Sequence, residues 1–329
     1  MKNRNRLILV MIATASSTTA FAQSSVTLYG RINTTVERQE IGNVKSTTVS
    51  NNSSRFGFKG IEDLGGGLKA GFQLESGFQS DTGIGSTTFF GRQSELNLSG
   101  SFGTLRLGNF FPASYYASAD YVSLHNHDTG SSSDALYYDP VWFGSLGTGN
   151  KIGYRSPTFG GLSVDAAVVL REQSVITGGK NGYDLAANYS AGPLELGAGF
   201  SSVNSNNQFS LRALYNIGQL TLGGYFQRNK DENLILPTGA GTRNNVRLVA
   251  AYNVGASEFH VNVGRASAYE NIANSGATQY TLGYNYNLSK RTKVYGYYTS
   301  VNNKSGASYS TPTAGIDFNS LAVGVRHNF

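Results

Sequence analysis

Residues 321–329, LAVGVRHNF, show the period that decides the fold. One face of this stretch is mostly apolar and the other is small or polar, with Leu321, Val323, Val325, His327 and Phe329 alternating with Ala322, Gly324, Arg326 and Asn328. Strict alternation of this kind predicts a β-strand with two unlike faces. A water-soluble sandwich can show the same alternation, so one strand does not decide what lies on each side.

The repetition of the pattern along the chain is more informative. Apolar rows occur at Leu194, Leu196, Ala198 and Phe200, at Phe209, Leu211, Ala213, Tyr215 and Ile217, and at Val246, Leu248, Ala250, Tyr252 and Val254. Glu, Asn, Arg, Ser, Gly and Thr are found on the opposite faces. A soluble core of this size would add strands with two apolar faces or amphipathic helices, and we find neither. The pattern predicts a membrane barrel, apolar outside and polar inside.

The composition agrees with a sheet protein and excludes several chemistries. The chain has 41 Gly, 20 Tyr and 18 Phe but no Cys, which excludes disulfides, thiol catalysis and thiolate metal sites. Its mean hydropathy is −0.25. Beyond the N-terminal segment, no stretch approaches the roughly twenty apolar residues of a membrane helix. A membrane location therefore requires strands.

The connections between strands alternate between short and long. Short ones are predicted at residues 64–67, 100–103, 157–161, 190–193, 216–219, 253–257 and 288–291. Longer polar segments lie near residues 40–52, 80–88, 110–149, 173–181, 203–207, 230–242, 269–276 and 303–317. Seven tight turns and eight longer loops predict an all-β transmembrane antiparallel β-barrel of about 16 strands, which leaves an aqueous lumen. Aromatic residues near the tight-turn ends indicate an interfacial girdle: Tyr189, Tyr215, Tyr252, Tyr286 and Phe329.

The N-terminus carries an export signal. Lys2, Arg4 and Arg6 precede an apolar run and a small-x-small triplet that ends at Ala22, which predicts a signal peptide over residues 1–22 and a barrel domain over residues 23–329. Cleavage removes three of 26 basic residues and none of 20 acidic ones, so the net charge falls from +6 to +3. No basic run remains, and we expect no nucleic-acid partner.

Several motifs resemble a known family. They are residues 25–30 (SVTLYG), 54–60 (SRFGFKG), 62–72 (EDLGGGLKAGF), 98–105 (LSGSFGTL), 154–161 (YRSPTFGG), 282–292 (LGYNYNLSKRT) and 325–329 (VRHNF). Together they cover essentially the whole mature chain and resemble the Gram-negative porins of β-proteobacteria.

The resemblance implies a general-diffusion channel of the cell outer membrane, with no enzymatic activity and no cofactor. It implies a homotrimer of sixteen-stranded barrels whose third loop folds inward and makes a constriction, where wall arginines face acidic loop residues. Phe329 resembles the signal that the barrel-assembly machinery reads. The expected partners are outer-membrane lipid and lipopolysaccharide, this machinery, and small hydrophilic solutes and ions.

The residues that should line the constriction come from the third loop and the wall. The loop, residues 110–149, carries four acids: Asp120, Asp128, Asp134 and Asp139. Strand parity points six basic side chains to the lumen: Arg31, Arg55, Lys59, Arg106, Lys151 and Arg155. Arg55 and Arg92 match the family's constriction arginines. An excess of guanidinium groups predicts a weak preference for anions.

Arg92 is a special case, because Leu96 and Leu98 share its parity and should face lipid. Either a bulge between Arg92 and Leu96 turns Arg92 inward, or Arg92 lies beyond the apolar band. Asn109 and Gly147 stand where many relatives have an arginine, and this departure argues against strong anion selectivity.

Other functions have less support in the sequence. The triplets at 81–83 and 128–130 resemble those of aspartic proteases but lie in polar loops, and His125, His127 and Asp128 alone make a weak metal site. No serine-hydrolase elbow, phosphate loop or dinucleotide fingerprint occurs. A structural barrel with a filled lumen and a substrate-specific outer-membrane channel remain as alternatives, the latter being the nearer.

Overall fold

The computed structural model describes residues 25–122, 130–142, 149–170, 180–232, 235 and 239–329, with the side chains of residues 120–122 left out. The strands are β1 (Ser25–Ile41), β2 (Val44–Asn51), β3 (Arg55–Gly65), β4 (Leu68–Gly77), β5 (Gln93–Gly100), β6 (Gly103–Asn109), β7 (Lys151–Arg155), β8 (Leu162–Val169), β9 (Gly182–Ala191), β10 (Leu194–Val203), β11 (Asn206–Ile217), β12 (Leu220–Asp231), β13 (Gly241–Val254), β14 (Ser257–Ala266), β15 (Ala277–Asn287), β16 (Thr292–Asn303) and β17 (Phe318–Asn328). The predicted signal peptide lies outside the described residues.

The strands form one closed antiparallel sheet. Apart from β2 and β3, which both pair with β1, each strand pairs with its neighbours in sequence, and β17 returns to pair with β1 from Arg31↔Asn328 to Ile41↔Phe318. The strands β2 and β3 are two halves of one spanning strand, because both pair with β1 on the same side. The barrel therefore has sixteen spanning strands, which confirms the predicted fold class.

A bulge separates the two halves of this spanning strand. The pair Thr34↔Asn51 ends one ladder and Arg31↔Arg55 begins the other, so three residues face two on β1. Ser53 takes the left-handed conformation with φ of 57°. Asn33 holds the bulge, because its N–H donates to Ser54 Oγ at 3.0 Å and its side-chain amide donates to the Asn52 carbonyl at 3.1 Å. Such bulges increase local twist and redirect side chains.

The two faces of the barrel differ as the alternation predicts. Outward side chains are apolar and exposed, such as Leu248 at 65% and Leu321 at 57%, whereas polar inward ones such as Asn33, Gln208 and Asn245 are fully buried. Tyr215, Tyr252, Tyr286 and Phe329 lie exposed at the tight-turn end.

Among the described residues, no helix is both long enough and apolar enough to cross a membrane.

The connections agree with the prediction except at two places. All seven tight turns are present, and by the usual topology of such barrels they mark the periplasmic side. The predicted loops at residues 40–52 and 203–207 are instead two-residue hairpins, and this part of the prediction was wrong. Gly42 and Asn204 adopt φ of 58° and 54°, which allows the tight reversal, and β-branched residues extend β2.

The longest connection joins β6 to β7 and is named L3 (residues 110–150). Its described part contains the helix α1 (Ala113–Val122) and a short 3-10 turn (Gly130–Ser132). The helix packs on β9, β10, β11 and β12. The described part of L3 thus lies against the inside of the wall.

The C-terminal residue completes the barrel seam. Phe329 and Gly30 exchange two backbone hydrogen bonds of 3.0 Å each. The Phe329 ring covers Gly30, and a Cβ on Gly30 would come within 2.8 Å of that ring. Glycine at this position therefore makes room for the terminal aromatic side chain.

We expect Phe329→Ala to lower both barrel stability and the yield of assembled protein. The change removes a partly buried ring at the seam, a loss of about 1 kcal/mol from apolar burial alone. The measurement is the fraction of unheated outer-membrane protein that migrates as folded barrel, together with the urea midpoint. Phe159→Ala, which removes a ring that is 70% exposed at a tight turn, is the control. Equal yields from both variants would contradict a special role for Phe329.

Candidate pore constriction

Two arginines stand side by side next to the β2–β3 bulge. Arg31 and Arg55 are paired across β1 and β3 and point inward. The carbonyl of Ser53 accepts a hydrogen bond from Arg31 Nη2 at 3.3 Å and from Arg55 Nη1 at 3.2 Å. The bulge thus supplies a backbone acceptor that holds two like charges together.

Glu75 on β4 brings a third arginine into this group. Arg92 Nε donates to Glu75 Oε1 at 2.7 Å, and Arg55 Nε lies 3.6 Å from the same oxygen. Tyr29 donates its hydroxyl hydrogen to Glu75 Oε2 at 3.0 Å. We call Arg31, Arg55, Arg92 and Glu75 the basic cluster.

The position of Arg92 resolves the parity problem. The β4–β5 ladder runs from Glu75↔Gln93 to Lys69↔Ser99 without a register shift, so no bulge separates Arg92 from Leu96. Arg92 instead precedes β5 in a bend, and its guanidinium lies over the ring of Phe111 at 5.2 Å. Because Arg92 is outside the ladder, strand parity does not apply to it.

The remaining predicted wall residues continue the basic surface. Arg106 forms an ion pair with Glu95 at 2.5 Å and stacks on Phe110 at 4.1 Å. Lys151 is buried and donates to the Phe110 carbonyl at 2.8 Å. Lys59 lies 5.4 Å from the Tyr29 ring. Farther along the wall, Arg155 pairs with Asp165 at 2.7 Å.

The helix α1 is fixed to the opposite wall through its N-terminus. Asp184 on β9 accepts the N–H of Ala113 at 2.7 Å and that of Ser114 at 3.2 Å, and also bonds the Ser114 hydroxyl. A carboxylate at this end satisfies unpaired N–H groups and favours the helix dipole. One turn later, Ser118 Oγ lies 2.8 Å from Ser210 Oγ on β11.

Two glycines on β10 let the helix approach the wall. A Cβ on Gly199 would lie 2.6 Å from the Ser114 carbonyl oxygen, and one on Gly197 would overlap the carbonyl of Ala117. Any larger residue at either position would therefore push α1 towards the lumen.

Asp134 forms a buried ion pair with the wall behind L3. Arg247 Nη2 on β13 donates to Asp134 Oδ1 at 2.6 Å, and both side chains are fully inaccessible to solvent. Tyr225 also donates to this carboxylate. Burial favours the neutral acid, but the Arg247 charge and these hydrogen bonds outweigh it and lower the pKa of Asp134.

Asp139 is buried, and no residue that the structure describes forms an ion pair with it. It accepts the N–H groups of Val141 at 2.8 Å and Trp142 at 3.2 Å, and the Ser201 hydroxyl at 2.9 Å. Burial raises the pKa of Asp139 to about 6, although these hydrogen bonds act in the opposite direction.

An apolar contact supports the polar ones. Tyr115 and Tyr137 of L3 pack on Leu214 and Val249, which point inward from β11 and β13. These inward apolar side chains give L3 a surface on which its tyrosines pack.

The structure brings together part of the predicted set. Arg31, Arg55, Arg92 and Arg106, with Lys59, lie on one side of the lumen. Asp134 does not face them, because it is paired with Arg247 on the far wall. Asp128 lies outside the described residues, and so does the side chain of Asp120. The constriction role of the set stays a prediction.

The charged residues that were missed from the sequence include Glu75, Glu95 and Arg247. Each lies on the inward face of a strand whose outward face is apolar, so alternation could have suggested that they line the lumen. The alternation could not have predicted which side chains these residues bind.

A closed antiparallel barrel with an apolar outside, a polar inside and a segment packed in its lumen defines an outer-membrane channel. The family model described as Gram-negative porin matches residues 8–306, and the chain belongs to that family. This confirms the resemblance found in the sequence. The chain is an outer-membrane porin, through which small hydrophilic solutes cross by passive diffusion; members of the family are channels rather than enzymes.

Relatives agree over nearly the full length. Outer membrane porin protein 32 of Delftia acidovorans is 30% identical over 98% of this chain and 99% of its own. The solved structure of the anion-selective porin from Comamonas acidovorans has a TM-score of 0.79 at 28% identity and covers 93% of this chain and 100% of its own. The trimer form of OmpT from Vibrio cholerae shares the fold, with a TM-score of 0.66 at 17% identity over 93% and 99% of the two chains.

We expect Gly199→Ala to change single-channel conductance. The added methyl group meets Ser114 and displaces α1 towards the basic cluster, which should narrow the passage and lower the conductance. Gly296→Ala is the control, because a Cβ there has its nearest neighbour at 3.5 Å, in ordinary contact. A conductance equal to that of the wild type would mean that α1 does not border the conducting path.

The docking of L3 should depend on pH through Asp139. Since docking raises its pKa to about 6, from about 3.9 for a free Asp, docked L3 binds the proton more tightly. Docking is therefore strongest below about pH 4 and weakens as the pH rises to about 6. Asp134 acts in the opposite direction, because its lowered pKa means that it stabilises docking at higher pH. This stabilisation is lost only below the pKa of a free Asp, about 3.9, and so does not change between pH 4 and 6.

A single cysteine can report this equilibrium, because the chain has none. Ser118 lies on the wall-facing side of α1 and is fully buried, so thiol labelling of Ser118→Cys requires undocking. Its rate relative to that of the exposed Ser305→Cys should rise on the order of tenfold or more between pH 4 and 6. Asp139→Asn should flatten most of this slope. An unchanged slope in Asp139→Asn would show that another group is responsible.

Proposed function

We propose that this porin prefers anions weakly and that the basic cluster sets the preference. The carrying observation is the charge balance on one side of the lumen. Among the residues that the structure describes, five basic side chains of the predicted set lie beside the carboxylates of Glu75 and Glu95, an excess of three positive charges: Arg31, Arg55, Lys59, Arg92 and Arg106.

The two acids of L3 whose side chains the structure describes, Asp134 and Asp139, do not cancel this excess. Asp134 is neutralised by Arg247, and Asp139 is enclosed by hydrogen bonds from L3 and Ser201. In the described part of L3, the ring of Phe111 contacts Arg92 and the ring of Phe110 contacts Arg106. A related porin, 28% identical, is described as anion-selective, which supports the same preference here.

The physical basis is the confined space. Charges within a Debye length, roughly 8 Å at physiological salt, are not fully screened. Fixed guanidinium groups therefore raise the local anion concentration in a narrow aqueous passage. Arginine keeps its charge at any relevant pH, so the preference needs no titration.

The test is to neutralise Arg55 and Arg92 together. Replacing both with Gln leaves Glu75 in place and reduces the excess from three charges to one. The zero-current potential across a planar bilayer with a salt gradient should move towards or past zero, while the conductance in concentrated salt changes little.

Arg228→Gln is the matched control for this experiment. It removes one positive charge by the same type of substitution, at an exposed position on the outward face of β12, and should leave the potential unchanged. A double variant with the wild-type potential would show that the basic cluster does not control selectivity.

We also propose that the mature chain begins at Gln23 and assembles as a homotrimer. An apolar depression of about 620 Å³ on the outside of the barrel is lined by Val36, Val294, Gly296, Val323 and Val325. Small and β-branched side chains near both ends of the chain give a surface on which neighbouring barrels can pack closely.

Native mass spectrometry of protein extracted from outer membranes should give the mass of three chains that each start at residue 23. Replacing Gly296 with Trp should shift the mass towards one chain while the protein still migrates as folded barrel. A wild-type monomer in mild detergent would contradict the trimer but not the barrel.

A further inference from the structure

One buried arginine on β13 contacts three of the long loops. Arg243 points inward and is 1% exposed. Its Nη2 donates to the carbonyl of Leu136 in L3 at 2.8 Å, and its Nη1 donates to the hydroxyl of Tyr309 at 2.5 Å. Tyr309 belongs to the β16–β17 connection, which we call L8 (residues 304–317). The ring of Tyr269, in the β14–β15 connection, lies 4.9 Å from the guanidinium carbon. L3 and L8 therefore share one cation.

Dipoles and aromatic rings, rather than a carboxylate, balance the charge of Arg243. Its Nε donates to Asn229 Oδ1 at 3.1 Å, and its guanidinium carbon lies 5.5 Å from the centre of the Tyr309 ring. No residue that the structure describes forms an ion pair with it. A buried charge that lacks a hydrogen bond is costly, so each of these partners matters. Loss of the L8 hydroxyl should therefore disturb the bond to L3 as well.

The L8 side of this contact has a fixed orientation. Asn303, the last residue of β16, binds the Tyr309 backbone twice: its Oδ1 accepts the N–H at 3.1 Å, and its Nδ2 donates to the carbonyl at 3.0 Å. The same Nδ2 donates to the Ile316 carbonyl at 2.7 Å. The Tyr309 ring also packs on an apolar cluster that includes Leu136. L8 thus presents its hydroxyl to Arg243 in one defined position.

Side-chain amides of the wall hold the neighbouring part of L3. We call residues 132–139 the return limb of L3. Gln279 on β15 accepts one backbone N–H of this limb at 3.0 Å and donates to one of its carbonyls at 2.8 Å. Gln227 on β12 donates to the Tyr138 carbonyl at 2.9 Å and accepts the N–H of the same residue at 3.4 Å. The contact with Arg243 lies between these two amides and connects the return limb to L8.

From these contacts we propose that Arg243 is a positioning residue of the pore and that it links L8 to the return limb of L3. The Tyr309 hydroxyl orients the guanidinium, and the guanidinium holds the return limb through the Leu136 carbonyl. Arginine suits this role because its rigid fork of N–H groups binds several acceptors in fixed directions. A change in L8 is thereby transmitted to a segment inside the barrel. The link does not depend on the sign of the ion preference.

The first test removes one hydroxyl and measures the exposure of the return limb. Ser132 is 1% exposed, so thiol labelling of Ser132→Cys in the full mature barrel requires this limb to leave the wall. Tyr309→Phe keeps the ring and should raise the labelling rate roughly tenfold, the lower end of the effect of losing a hydrogen bond to a charged group. An unchanged rate would overturn the proposal.

Two controls separate this link from general loosening. Tyr298→Phe also removes a hydroxyl that donates a hydrogen bond, but on the outward face of β16, and should leave the rate unchanged. In Tyr309→Phe the labelling of Ser118→Cys should not change either, because Asp184 holds α1 separately. An equal rise in either control would mean that L3 or the barrel loosens as a whole, and it would contradict a specific link.

A double-mutant cycle tests whether the effect passes through Arg243. Lysine keeps the charge but has one ammonium group in place of the fork, so Arg243→Lys should itself raise the labelling of Ser132→Cys. Adding Tyr309→Phe to Arg243→Lys should then change the rate by less than about twofold. A full second increase would show that L8 acts on L3 by another route and would overturn the role of Arg243. Heat-dependent migration confirms that each variant is folded.

The effect on the pore is measured in single channels. A return limb that leaves the wall moves inside the barrel, so Tyr309→Phe should show more frequent brief reductions of current at constant voltage than the wild type or Tyr298→Phe. Faster labelling together with an unchanged frequency of these reductions would show that the return limb does not border the conducting path. That result would overturn the assignment of Arg243 as a positioning residue of the pore.

Discussion

The structure depends on one constraint, which is that no backbone hydrogen-bonding group can remain unpaired in the hydrocarbon layer. A sheet meets this constraint only if its first and last strands pair, and the pairing of β1 with β17 does so. The seam is completed at its end by Gly30 and Phe329, whose two backbone bonds leave no open edge there. The lumen, its lining and the packed loop all follow from this closure.

Closure also makes every residue of a spanning strand face either the lipid or the lumen. The lumen-facing positions that are apolar or lack a side chain include those on which L3 packs. Many inward positions are polar, whereas Leu214 and Val249 are apolar and Gly197 and Gly199 lack side chains. These four positions share one region of the wall, where α1 and the tyrosines of L3 pack. The loop is thus positioned by departures from the pattern that forms the barrel.

The period of two was sufficient to predict the fold, because each strand repeats the same contrast between its faces. The same reasoning placed Arg31, Arg55 and Arg106 inside the lumen. It could not place Arg92, which lies in a bend before β5, or the hairpins at Gly42 and Asn204, where a single left-handed residue replaces a loop. Nor could it find the partner of Asp134, since Arg247 is 113 residues away and the contact depends on how L3 lies in three dimensions.

Asp134 is paired with Arg247 on the far wall of the lumen, and this pairing affects how the channel binds dipolar solutes. Two oppositely charged walls would align a zwitterion across the channel and stabilise both of its ends. Here Asp134 is neutralised by Arg247, so it cannot hold the ammonium end of a zwitterion whose carboxylate binds the basic cluster. With respect to this one acid, the described structure favours recognition of a solute by its net charge over recognition by its dipole moment.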